Sequence, residues 1–244
     1  MTLFQRRPFA LTPPGEKLYE FIQPLFANLD KMTAELQGGQ ARHIRIGAST
    51  IVLRDHLPQL LRSVQKKFRA LKVSLREGYQ ADLEKLLNDN EIDLAITVIE
   101  KKTAAGFRSL ELLQLPLQLL VEKNSDIKSA EQLWQRDKIG ESLICLPASE
   151  SVTRSFLKQL AKRGVEWFPS IEASSLDLIE TYVANGLGVG MSVAVPKKPL
   201  PENVRALPLP EFPPLVIGAL WRGKATPLLE MFLSEAKLRA RELS

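Results

Sequence analysis

The most chemically suggestive residues are hydroxyls placed where a strand gives way to a helix. Ala48-Ser49-Thr50 follows the alternating stretch His43–Gly47 and precedes an amphipathic one. A helix start leaves backbone N–H groups without partners and carries a partial positive charge. Ser49 and Thr50 beside it can therefore help to hold a carboxylate or phosphate. The competing role is to cap that helix. Ser149-Glu150-Ser151-Val152-Thr153-Arg154 repeats the arrangement. Ser149, Ser151 and Thr153 supply hydroxyls there, and Arg154 a fork of donors, unless it is simply a solvated helix residue. Glu150 would oppose an anion if it pointed inward. Tyr79 and Gln80 after a second strand, Thr97 at the end of a third, and Met191 complete a mixed polar and apolar lining. Ser174 and Ser175 are expected to cap the helix at Leu176.

Catalytic and metal chemistry find little support. The two histidines are His43, at a strand start, and His56, on a helix; no HExxH spacing and no GxSxG elbow exist. Gly186-x-Gly188-x-Gly190 follows a helix and precedes a strand. A dinucleotide loop has the reverse order, so this segment reads as a helix end with close packing. Glu91 and Asp93 could pair as carboxylates, but no general acid can be assigned to them. The single Cys145 forms neither an internal disulfide nor a CxxC motif. No enzyme, metal or cofactor is expected.

These residues need elements to position them. The chain has 244 residues, 45% apolar and 25% charged, with a net charge of +5. That is ordinary for one large or two small globular domains. No run approaches the roughly 18 apolar residues of a membrane helix, and no signal peptide is read at the N-terminus. A cytoplasmic protein without a membrane partner is expected. The pI near 9.3 is compatible with nucleic acid but too mild to argue for it alone. Arg62, Lys66, Lys67, Arg69, Lys72 and Arg76 form a basic run without an acid, best read as a solvated face.

From residue 43 the pattern is β-α-β-α-β: strands His43–Gly47, Lys72–Arg76 and Ile92–Val98 around helices marked by Leu53–Phe68 and Leu83–Leu87. A parallel sheet is the default topology. Leu112–Val121 reads as a strand region. Further strand–helix alternation follows, with strands at Ser142–Leu146, Ser170–Ala173, Val189–Val195, Val204–Leu209 and Val216–Trp221. Helices are expected at Ser129–Trp134, Val152–Lys162, Leu176–Asn185 and Pro227–Leu243. Two such α/β units would create a cleft, and ligands of open α/β sheets bind outside the carboxyl ends of the strands.

The first 42 residues differ. Thr12 can cap a helix opened by Pro13. Leu18, Ile22, Leu25, Leu29, Met32 and Leu36 follow at alternating spacings of 4 and 3. That heptad seam needs another helix to cover it, either from its own domain or from a second copy. Pro24 should kink it, and Gly38-Gly39 ends it.

Several motifs together resemble LysR-type transcriptional regulators. Leu3-Phe4-x-Arg6 with Leu11-Thr12-Pro13-x-Gly15-x-x-Leu18 is similar to their wing and linker-helix start. Ile44-Arg45-Ile46-Gly47-Ala48-Ser49 with Leu57-Pro58-x-Leu60-Leu61 is similar to the opening of their effector-binding domain. Glu91-Ile92-Asp93-Leu94-Ala95-Ile96 and Val183-Ala184-x-Gly186-Leu187-Gly188-Val189 follow in family order. The resemblance begins inside the wing, and the Gly190-Met191-Ser192-Val193 segment lacks a proline the family often has. It implies two Rossmann-like subdomains of periplasmic-binding-protein type behind a long linker helix. The implied division is a wing remnant at 1–11 and a dimerisation helix at 12–40. Subdomain I would take 41–122 and 215–244, and subdomain II 123–214. The loops at Ser49 and Ser149 would face one cleft, holding a small anionic effector that acts allosterically on a homodimer or tetramer. Arg6 and Arg7 would touch DNA phosphates. Operator reading would need a helix-turn-helix of a full-length protein. A stand-alone solute-binding protein and an α/β enzyme are the alternatives.

Overall fold

The computed structural model describes residues 2–19, 21–22, 43–68, 71–100 and 106–243. The strands in chain order are β1 (Phe4–Arg6), β2 (Phe9–Leu11), β3 (His43–Ala48), β4 (Lys72–Glu77), β5 (Leu94–Val98), β6 (Phe107–Leu115), β7 (Leu117–Glu122), β8 (Leu143–Cys145), β9 (Pro169–Glu172), β10 (Val189–Val193), β11 (Val204–Pro208) and β12 (Leu215–Arg222). Helical residues 13–19 and 21–22 form α1. The other helices are α2 (Leu57–Lys67), entered through a π-turn at Val52–His56, then α3 (Gln80–Asn88), α4 (Ala130–Trp134), α5 (Ser151–Lys162), α6 (Leu176–Ala184) and α7 (Pro227–Leu243).

At the N-terminus β1 and β2 form an antiparallel hairpin, with the rings of Phe4 and Phe9 stacked 5.7 Å apart. Thr12 caps α1 as its sequence position suggests: Gly15 N donates to Thr12 Oγ1 at 3.2 Å. The glycine is sterically required, because a Cβ there would sit 2.1 Å from the Leu3 carbonyl oxygen. The helix thus starts directly against the hairpin. Leu18 of the heptad seam is 41% exposed in this single chain. Leu25, Leu29, Met32 and Leu36 lie outside the described residues, and Arg7 is exposed in the hairpin turn.

The chain divides into two compact units. The first, Met1–Leu110 and Gly218–Arg239, carries the sheet β4-β3-β5-β12-β6. β3 runs parallel to β4 and to β5, so the expected parallel β-α-β-α-β unit is present. Leu83, Leu87, Ile92, Ala95 and Leu220 form a core cluster beneath α3. A Cβ at Gly47 would lie 2.5 Å from Leu83 Cδ2, so the glycine lets α3 sit on β3. Asp93 ties β3 to the start of β5. Its carboxylate accepts from Arg45 N at 2.9 Å and from the Arg45 guanidinium at 2.9 and 3.2 Å. The carboxylate pair contemplated for Glu91 and Asp93 is therefore replaced, at Asp93, by a structural ion pair.

The second unit, Glu111–Ile217 and Ala240–Ser244, carries the sheet β11-β7-β10-β8-β9. β10 pairs antiparallel with β7 and parallel with β8, and β11 is an edge strand. The expected subdomain boundary at residue 122 differs from this division. Leu112–Val121 is two strands of different sheets, β6 and β7, separated at Pro116. Proline has no N–H to give a ladder and favours such a break. Its carbonyl remains useful, accepting from Ala194 N at 2.9 Å.

Candidate functional site

In the first unit the hydroxyl candidates stand at the carboxyl ends of three adjacent parallel strands. Ser49 and Thr50 follow β3, Tyr79 and Gln80 follow β4, and Thr97 is the penultimate residue of β5. Leu53 N donates to the Ser49 carbonyl, which opens the helical run. Among the described residues neither Ser49 nor Thr50 caps that run with its hydroxyl. Thr50 Oγ1 donates instead to the Glu77 carboxylate at the end of β4. This neighbour was not anticipated, although the register Ala48↔Glu77 follows once β3 and β4 are aligned in parallel. Glu77 places a negative charge beside the turn. The Thr50 hydroxyl, its proton committed to Glu77, is left as an acceptor. A ligand donor, such as an ammonium or hydroxyl, suits this turn better than a bare carboxylate.

Tyr79 and Gln80 start α3. Tyr79 N donates to Asp82 Oδ2 at 3.4 Å, and Gln80 Nε2 to Glu84 Oε1 at 2.9 Å. Thr97 is 7% exposed. Gln80 is thus partly committed to its own helix, while Ser49 and Tyr79 remain half-buried at the strand ends.

In the second unit the corresponding turn joins β8 to α5. Ser151 is the first residue of α5, and no side chain caps that helix. Its Oγ is shielded from solvent and has no hydrogen-bond partner among the described residues. An unpaired buried hydroxyl costs roughly 1–3 kcal/mol, so its persistence at a helix start calls for a reason. Ser149 contributes its carbonyl, which accepts from Arg154 Nη1; the guanidinium folds back on its own loop.

Two expected site residues turn out to be structural. Thr153 is fully buried and its Oγ1 donates to the Leu146 carbonyl at 3.0 Å, fixing the loop after β8 to α5. Met191 is fully buried in β10, which lies between β7 and β8. Its position inside the sheet core removes it from any ligand-facing surface. Ser175 caps α6, as expected, by accepting from Leu178 N at 3.2 Å.

Sequence patterns also missed Lys198. Its Nζ lies 2.8 Å from Asp177 Oδ1 and 2.5 Å from Glu180 Oε1, pinning the loop after β10 to α6. Burial alone would lower the Lys198 pKa, but hydrogen bonds to Asp177 and Glu180 hold it above its ordinary value. The thiol of Cys145 is buried in β8, and desolvation together with Glu172 pushes its pKa to about 11. That is the reverse of a reactive thiolate environment. No group of three or more potential metal ligands occurs among the described residues, and no helix there is long and apolar enough to cross a membrane.

The model of the LysR substrate binding domain matches residues 37–240. The "Hydrogen peroxide-inducible genes activator" of Dickeya chrysanthemi is 25% identical over 182 residues, covering 74% of this chain and 59% of its own length. The "HTH-type transcriptional regulator SsuR" of Burkholderia cenocepacia is 24% identical over 203 residues, covering 80% of this chain and 64% of its own length. The chain therefore spans about three fifths of these curated relatives. HinK, a LysR family transcriptional regulator from Pseudomonas aeruginosa, has a similar fold, with a TM-score of 0.72 at 19% identity. That superposition covers 96% of this chain and 83% of HinK.

Proposed function

The chain belongs to the LysR family through its substrate-binding domain, and from that premise we propose that it senses a small polar effector for a transcriptional regulator. The two strand-to-helix turns are the proposed contacts: Ser49 and Thr50 with Tyr79 in the first unit, Ser149 and Ser151 in the second. The observation that carries this reading is Ser151. Its hydroxyl is buried and unpaired at the start of a twelve-residue helix, where an oxyanion would gain both a donor and the helix dipole. The Glu77–Thr50 pair adds a preference for an effector that also bears a donor group.

The remaining parts of the proposal concern the whole protein. Leu18, Ile22, Leu25, Leu29, Met32 and Leu36 form the dimerisation seam of a homo-oligomer. Arg6 and Arg7, in the hairpin, contact DNA phosphates and leave sequence reading to a helix-turn-helix. Effector binding changes the balance between two arrangements of the oligomer by its differential affinity for them. Such a protein acts in the cytoplasm. The peroxide response named for one relative does not transfer through Cys145, whose thiol is buried and weakly acidic.

The test is a thermal-shift screen of small carboxylates, sulfo and phospho compounds, with and without an amino or hydroxyl group, followed by calorimetric titration. Binding to the native state raises the apparent melting temperature. A confirmed effector should lose affinity in Ser151→Ala. Unchanged affinity in both Ser151→Ala and Thr50→Val refutes the placement.

A further inference from the structure

At the end of its sheet remote from Ser49–Thr50, the first unit has a cavity that is open to solvent on one side. It lies where β3 begins, just before β5, and where β12 ends and α7 starts; Arg45, Asn90, Asp93, Arg222, Lys224 and Thr226 contribute to its walls. Its charges do not balance. Asp93 is the one acid in the lining, and it is already neutralised by the two-pronged contact with Arg45. Arg222 spends one donor on the Asn88 carbonyl at 3.0 Å and stacks loosely over Phe107, 6.0 Å from its centroid. Neither Arg222 nor Lys224 meets a carboxylate among the described residues. Two exposed cations thus line one cavity whose single acid is already paired.

The side chains of the cavity narrow what can fill it. A guanidinium fork and an ammonium are the side-chain pair best matched to such an oxyanion. Asn90 adds an amide beside them, held by a left-handed backbone at φ 55° that asparagine tolerates. Thr226 already caps α7 by accepting from Leu229 N, so the helix end contributes its dipole and is not the principal donor.

We propose that this cavity is a second site, binding a small oxyanion through Arg222 and Lys224 at the opposite end of the sheet from the effector turn. It does not depend on the effector reading, because the residues and the strand ends differ.

The experiment titrates inorganic phosphate and, separately, acetate into the protein at constant ionic strength, followed by nitrogen–proton correlation spectra. Saturable shifts are expected at the backbone amides of Arg45, Asn90 and Lys224. Saturation by phosphate alone assigns a tetrahedral oxyanion, and saturation by acetate a carboxylate; either supports the site. The double variant R222Q/K224Q should weaken binding about tenfold or more, the usual worth of charged hydrogen bonds. Lys224 is exposed, so Lys224→Gln alone preserves the fold and should weaken binding several-fold. Shifts that fail to saturate with either ion, that are unaffected by both variants, or that centre on Ser49–Thr50 or Ser151 overturn the proposal.

Discussion

Replacing Thr153 by Val and Ser151 by Ala, two residues apart on α5, should give opposite outcomes. Thr153 is fully buried, and its hydroxyl satisfies the buried Leu146 carbonyl at 3.0 Å. Valine keeps nearly the same shape but leaves that carbonyl without its donor. An orphaned buried acceptor costs about 1–3 kcal/mol, partly offset by the added methyl group, so a net loss of about 1–2 kcal/mol is expected. For a chain of this size that corresponds to a fall of about 2–8 °C in melting temperature. Ser151→Ala removes a hydroxyl that has no partner. Stability should stay the same or rise by up to about 1 kcal/mol, since a desolvated group is deleted. Affinity for an oxyanionic effector should fall about 10–100-fold, the worth of one hydrogen bond to a charge. Urea denaturation measures the first quantity and calorimetric titration the second. A Thr153→Val protein of unchanged stability and lost affinity, or a Ser151→Ala protein that is destabilised and binds normally, would reverse the assigned roles and refute the reasoning.

Four further outcomes are expected. Cys145 should react slowly with a thiol reagent at neutral pH; because its folded pKa lies near 11, above the unfolded value, it contributes stability that is lost as pH rises from about 9 through 11. Burial, and then Arg239, hold the pKa of His56 below 6.5, so its contribution to stability is present above the unfolded value and lost as pH falls through the folded one; His56→Gln should flatten that acid limb in pH-dependent denaturation. Lys198→Met should destabilise by about 2–4 kcal/mol, the usual cost of stranding a mostly buried carboxylate discounted for the exposure of Asp177, and a denaturation midpoint equal to the parent's would contradict the assigned pinning role. Leu25→Lys with Leu29→Lys should yield monomers or insoluble protein by light scattering, whereas a monomeric parent chain would dispose of the seam.

Much of the architecture was legible in the residues themselves. Alternation in His43–Gly47 and Lys72–Arg76, helical spacing in Leu53–Phe68, and the Thr12-Pro13 start are local signals, set by the period of side chains along a strand or helix. They place Ser49–Thr50, Tyr79–Gln80 and Ser151 at strand-to-helix turns without reference to anything distant. The partners of those side chains are not local. Glu77 meets Thr50 only because β3 and β4 run parallel in one register, and Asp93 meets Arg45 across 48 residues of chain. The sequence offered Thr153 and Ser151 as equals; only the fold buries one against a carbonyl and leaves the other unpaired. Met191 likewise looked suited to a pocket until β10 was enclosed by its neighbours. Chain periodicity decides which face a residue occupies, whereas the identity of what lies opposite is decided by strand order and register. Those are fixed by long-range packing, which is why the sequence located the turns and the tertiary structure decided which hydroxyls within them are already paired.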